Sequence, residues 1–126
     1  MQILRFGLPL LMLVHGVSHL PGFVTSWRLR SLPDFPYHTV VLRGRVDIHD
    51  SGMRILGALW LTAALALCLS AVAAFARDER WLPLAFAASV LSIVLCILEW
   101  PIARVGLWIS VALLAALPLA MRFSWW

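Results

Sequence analysis

Between Trp81 and Met121 the chain runs for 41 residues with only two charged side chains, Glu99 and Arg104. A single helix of that length would reach about 60 Å, twice the hydrocarbon thickness of a bilayer. The run therefore holds two membrane spans, with the break at Glu99-Trp100-Pro101 and Pro101 opening the second. Two further apolar stretches lie N-terminal to it. The expected architecture is all-α: one transmembrane domain over residues 1–126, a four-helix bundle with spans at 3–25, 52–75, 81–100 and 102–121 and a long polar loop over 26–51.

Composition agrees with that class. The chain is 63% hydrophobic and only 13% charged, with a mean hydropathy of +0.93, where a soluble domain carries about 25% charged residues. The net charge of +4 suits anionic membrane lipids and loop topology; nucleic acid is not an expected partner. Every non-histidine basic residue is Arg, which excludes Lys-based Schiff-base chemistry. Cys68 and Cys96 fall about 24 Å and about 8 Å from the same face at 1.5 Å per residue, too far apart for a disulfide.

The first span has the charged start and apolar stretch of a signal peptide but is read as a retained helix, ended or kinked by Pro21-Gly22. In the 26–51 segment, Phe35, Tyr37 and the stretch 39–42 are too apolar for a free linker, so the segment is expected to fold back over the bundle or lie on the membrane. Asp50 or Ser51 is the expected N-cap of span two, and Pro118 should weaken the last turns of span four. Four spans put both termini and the Arg77–Arg80 turn on one side, and the polar loop and the Glu99–Arg104 turn on the other. Arginines number four on the first side and six on the second, which favours the loop side as cytoplasmic, in a bacterial inner membrane. Trp27 and Trp100 on the loop side, and Trp81, Trp125 and Trp126 on the other, are expected interfacial anchors. Small residues in spans two and three, among them Gly57, Ala63, Ala71, Ala85 and Ala88, allow close packing or a homo-oligomer.

The chemistry gathers at the loop end. His15 and His19 are four residues apart on one helix face, the spacing of zinc and iron ligands. Glu99 would be the third ligand, with His49 or Asp47 completing the shell. A divalent transition metal, zinc or iron, is the cofactor this set suggests; a haem would need a second axial histidine from His49 or another subunit. Without a cofactor, His15 or His19 with Glu99 forms an acid–base pair. Glu99 and His49 are then the candidate catalytic residues, and Arg54 and Arg104 bind a lipid head group or substrate carboxylate. The plain alternative is interhelical hydrogen bonding by the histidines and a Glu99–Arg pair.

The stretch from His15 through Ser18, His19 and Pro21 to Phe23, the apolar span after Gly52, and Ser92 followed by Trp100-Pro101-Ile102-Ala103-Arg104-Val105-Gly106 resemble small four-span bacterial membrane proteins, similar in size and layout to the DoxX-like group. The resemblance covers most of the chain and implies a four-helix membrane bundle. Some DoxX-like members are associated with quinone or thiol redox systems, but this chain has no paired cysteines and no catalytic residue of that group maps onto it. The function expected is a small membrane enzyme or cofactor-binding protein acting on a lipid-soluble or amphiphilic substrate. The alternatives are an accessory subunit of a larger membrane complex and an oligomeric transporter protomer.

Overall fold

The computed structural model describes residues 2–33, 35–100 and 102–123. The elements are α1 (Gln2–Val17), α2 (Leu20–Ser26), β1 (Val40–Val41), β2 (Val46–Asp47), α3 (His49–Phe75), α4 (Trp81–Leu98) and α5 (Arg104–Phe123). Among the described residues, four helical stretches are long and apolar enough to cross a membrane: Arg5–Ser26 (α1 with α2), His49–Phe75, Trp81–Leu98 and Arg104–Arg122. Their outward faces carry Leu65, Leu69, Val72, Phe86, Val94 and Val105, all exposed. An apolar exterior on every helix is what a lipid solvent selects and water does not. The molecule is a multi-pass membrane protein. Asp34, the break at Pro101 and the anchors Trp125 and Trp126 lie outside the described residues.

Neighbouring spans pack in chain order, α1 and α2 on α3, α3 on α4, and α4 on α5, while α1 and α5 barely meet. One lateral edge of the bundle is therefore open. Small residues set the close approaches. Ala63, Ala64 and Ala71 of α3 and Ala85 and Ala88 of α4 are buried, whereas Ala58 and Ala87 face outward. A Cβ on Gly22 would stand 2.6 Å from the Trp60 ring, and one on Gly57 2.5 Å from Trp27. Both glycines are needed for their helices to touch. Two core layers result, one around Met12, Leu67, Trp81 and Leu113, the other around Met53, Trp60, Leu95 and Cys96. Cys68 and Cys96 are free thiols.

Several boundaries differ from the sequence expectation. The first span breaks at Ser18-His19, one turn before Pro21, and Pro21 sits in the first turn of α2. Pro21 has no N–H for the Val17 carbonyl and its ring crowds that carbonyl. The chain responds by tightening: the His19 N–H bonds the Gly16 carbonyl at 3.1 Å and the Gly22 N–H bonds the His19 carbonyl at 3.2 Å. Asp50 and Ser51 do not cap α3. The helix starts at His49, whose N–H is taken by Asp47 Oδ1 at 2.9 Å. Pro118 lies inside α5, which continues to Phe123. Trp81 is a core residue, 2% exposed, not an interfacial anchor, and its carbonyl accepts from Ser70 Oγ at 2.7 Å.

The connection between span one and α3 is not the polar loop expected over 26–51. It contains an antiparallel hairpin, Val40 opposite Asp47 and Val41 opposite Val46. Val41 is buried in the second core layer, with Phe35, Tyr37, Leu42 and Ile48 packed against it. The hairpin turn uses left-handed backbone at Leu42, Arg43 and Gly44. That conformation delivers the Leu42 N–H to the Leu98 carbonyl at 2.9 Å, satisfying an orphan acceptor at the end of α4.

A candidate site at the kink of the first span

The break at Ser18-His19 creates the polar centre of the bundle. In an unbroken helix the His15 carbonyl would accept the His19 N–H. That donor now serves Gly16, and the His15 carbonyl accepts two side chains instead: Ser18 Oγ at 2.5 Å and His19 Nδ1 at 2.7 Å. The other ring nitrogen of His19 meets Ser92 Oγ of α4 at 2.6 Å. Ser92 Oγ meets Ser110 Oγ of α5 at 2.6 Å, and Ser110 Oγ meets His15 Nε2 at 2.8 Å. Ser92 Oγ is also 3.5 Å from His15 Nε2. His15, His19, Ser92 and Ser110 are all 3% exposed or less. They form a closed hydrogen-bonded ring joining the first, third and fourth spans, with no side-chain atom of the ring left unpaired except His15 Nδ1, which has only a 3.4 Å approach from Ser18 Oγ. The His15 and His19 rings sit edge to face at 4.6 Å, and His19 rests 5.2 Å from the Trp60 ring.

The two histidines of this ring, with Ser92 and Ser110 behind them, line a cavity of about 520 Å³ at the open edge between the first span and α5. His15, Ser18, His19, Trp60, Cys96 and Gly106 contribute to its lining, with Ile102, Val105 and Ile109 on the α5 side. The walls are mainly apolar, and the polar atoms converge from one side, the usual make-up of a small-molecule site.

Glu99 is not part of this group. It lies buried, 2% exposed, past the end of α4, with its Oε2 atom 2.9 Å from His38 Nε2. The contact has ion-pair distance without the alignment of a full hydrogen bond, and among the described residues Oε1 has no hydrogen-bond partner. Burial pushes the Glu99 carboxyl up, and the His38 charge and contact oppose that rise. His38 Nδ1 in turn donates to the Val40 carbonyl at 2.7 Å, so the pair pins the hairpin to the bundle. His38 carried no sequence signal, because its approach to Glu99 depends on the fold of the hairpin.

The remaining expected site residues stand apart. His49 is exposed and 3.5 Å from Asp47. Arg54 is exposed and its carbonyl accepts from Trp27 Nε1 at 2.9 Å, while Arg104 is exposed at the start of α5. None of Glu99, His49, Arg54 or Arg104 lines the cavity. Arg28 instead reaches both Tyr37 and Asp50.

As a metal centre the expected set does not fit. His15 and His19 are adjacent, but three of their four ring nitrogens are committed to serine or carbonyl partners, and Glu99 is engaged elsewhere. Among the described residues no group of three or more His, Cys, Asp or Glu side chains is placed to hold a metal ion. Ser92 and Ser110, which complete the ring, were missed as site residues. Their only signal was depth: Ser92 is seven residues before Glu99 and Ser110 six after Arg104, about 10 Å into the bilayer on each helix and level with the histidines. No known protein family, curated protein or solved structure matches the chain.

Proposed function

We propose that the protein takes a lipid-soluble or amphiphilic molecule into the cavity beside the kink, where His15 binds its head group and accepts its proton while the Ser110–Ser92 chain passes one on to His19 Nε2, leaving the charge on His19, as in a small membrane enzyme. The observation that carries this reading is the buried ring whose two histidines line an apolar cavity, at the edge where α1 and α5 scarcely meet. Polar groups at this depth are costly and mark function more often than they do in a soluble core. Two imidazoles joined by two hydroxyls, with neighbouring heavy atoms 2.6–2.8 Å apart, have the spacing for concerted proton transfer. A metal on the same histidines would first have to displace the serines.

The test is photolabelling in nanodiscs with an alkyl-diazirine amphiphile, mapped by peptide mass spectrometry. Labels should concentrate on residues 15–22 and 102–109 and fall at least fivefold in Ala103→Phe, which fills the cavity. Labels spread evenly over all four spans, and unchanged in that variant, would rule the reading out.

A further inference from the structure

The hydrogen-bonded ring has a direction, and one carbonyl sets it. A carbonyl oxygen only accepts, so the 2.7 Å contact between His19 Nδ1 and the His15 carbonyl places the ring N–H of His19 on Nδ1. Its Nε2 is then a lone pair and takes the Ser92 hydroxyl proton. Ser92 has no second proton, so Ser110 must donate to it. Ser110 is then also spent, and the contact to His15 is an Nε2–H donating to Ser110 Oγ. His15 is left with a bare Nδ1. Among the described residues the hydroxyl near it is Ser18 Oγ at 3.4 Å, which gives its proton to the His15 carbonyl at 2.5 Å. Among the described residues Nδ1 of His15 is therefore an acceptor lacking a donor, on the Ser18 side of the ring, and both residues line the cavity.

We infer that the molecule this cavity takes presents a hydrogen-bond donor, the hydroxyl of a lipid-soluble alcohol or phenol, to His15 Nδ1. This rests on the cavity being a ligand site, as proposed above. A ligand headed by a carbonyl, an ether or an anion meets a lone pair there. Turning the ring around to greet such a ligand would move the His19 proton to Nε2 and set a bare Nδ1 against the His15 carbonyl at 2.7 Å. Two acceptors at that distance repel, so the carbonyl exposed by the kink holds the ring in one sense. The selectivity for donors thus originates in Pro21, which caused the break.

Two measurements test this. Long-range proton–nitrogen NMR on histidine-labelled protein in nanodiscs should show opposite tautomers, N–H on Nε2 for His15 and on Nδ1 for His19. An Nδ1–H tautomer at His15 overturns the inference without any variant. Binding is read with 4-nonylphenol and its methyl ether by tryptophan fluorescence, since Trp60 lines the cavity. The phenol should bind at least about tenfold more tightly, the worth of one hydrogen bond to a buried acceptor, and His15→Phe should erase the difference between the two probes. Equal binding of the two probes overturns the donor inference alone. Binding of neither overturns the cavity as a ligand site and this inference with it.

Discussion

Removing Ser92 should cost the bundle more stability than removing Ser110, although both hydroxyls sit in the same ring and both are fully buried. Ser92→Ala deletes the contact to His19 Nε2 at 2.6 Å and the contact to Ser110 at 2.6 Å. Interhelical hydrogen bonds in membranes average about 0.6 kcal/mol each, so the pair contributes about 1 kcal/mol. Among the described residues no other hydroxyl bonds His19 Nε2, and a buried imidazole nitrogen left without a donor adds about 1 kcal/mol more. The expected loss is about 2 kcal/mol. Ser110→Ala also deletes two contacts, but Ser92 Oγ already lies 3.5 Å from His15 Nε2 and closes on it once Ser110 is gone. The expected loss is below about 1 kcal/mol. The double variant should cost more than the sum of the two, because with both hydroxyls gone His15 Nε2 loses Ser110 and the Ser92 that would replace it. Reversible unfolding in mixed detergent–SDS micelles measures all three. An equal or larger loss in Ser110→Ala, or simple additivity in the double variant, would refute the ring as a single structure built on Ser92.

Two further outcomes follow from the same geometry. Burial raises the Glu99 carboxyl in the folded state, so above the ordinary carboxylate range the native state keeps a proton that the unfolded state has released, and stability falls as pH rises through that window. Asp47 and Asp78 are both held below their usual values, Asp78 at about 2 by Arg80, so they remain ionised there; unfolding midpoints of wild type and Glu99→Gln should diverge in this direction, and parallel curves would contradict it. Elemental analysis of protein purified without chelating resin should give the same metal content for wild type and the His15→Ala/His19→Ala double variant; a stoichiometric metal lost in the double variant would replace the proton relay with a metal centre.

The parts of this molecule that could be read from sequence are those set by length. Span number follows from the 1.5 Å rise and the bilayer thickness, and the alternation of ends then puts His15, His19 and Glu99 in the same half of the membrane. What could not be read is which residue faces which. In a soluble helix the polar stripe marks the outer face, and the opposite face is the core. Here lipid covers the outside, so Leu and Val occupy both faces, as the exposed Leu65, Leu69 and Val72 beside the buried Leu67 and Ala71 of α3 illustrate. Rotational information survives only in the scarce polar and small residues. Gly16, Gly22 and Gly57 carried it, since each is pressed against a neighbouring helix; so did Ser92 and Ser110, whose burial in an apolar run required a partner at the same depth. Glu99 and His19 share a half of the membrane yet belong to different centres, because His19 is turned by the kink toward Ser92 while Glu99, past the end of α4, is met by His38 from the hairpin. Depth narrows the set of possible partners, and the local break at Pro21 and the left-handed turn at Leu42 choose among them.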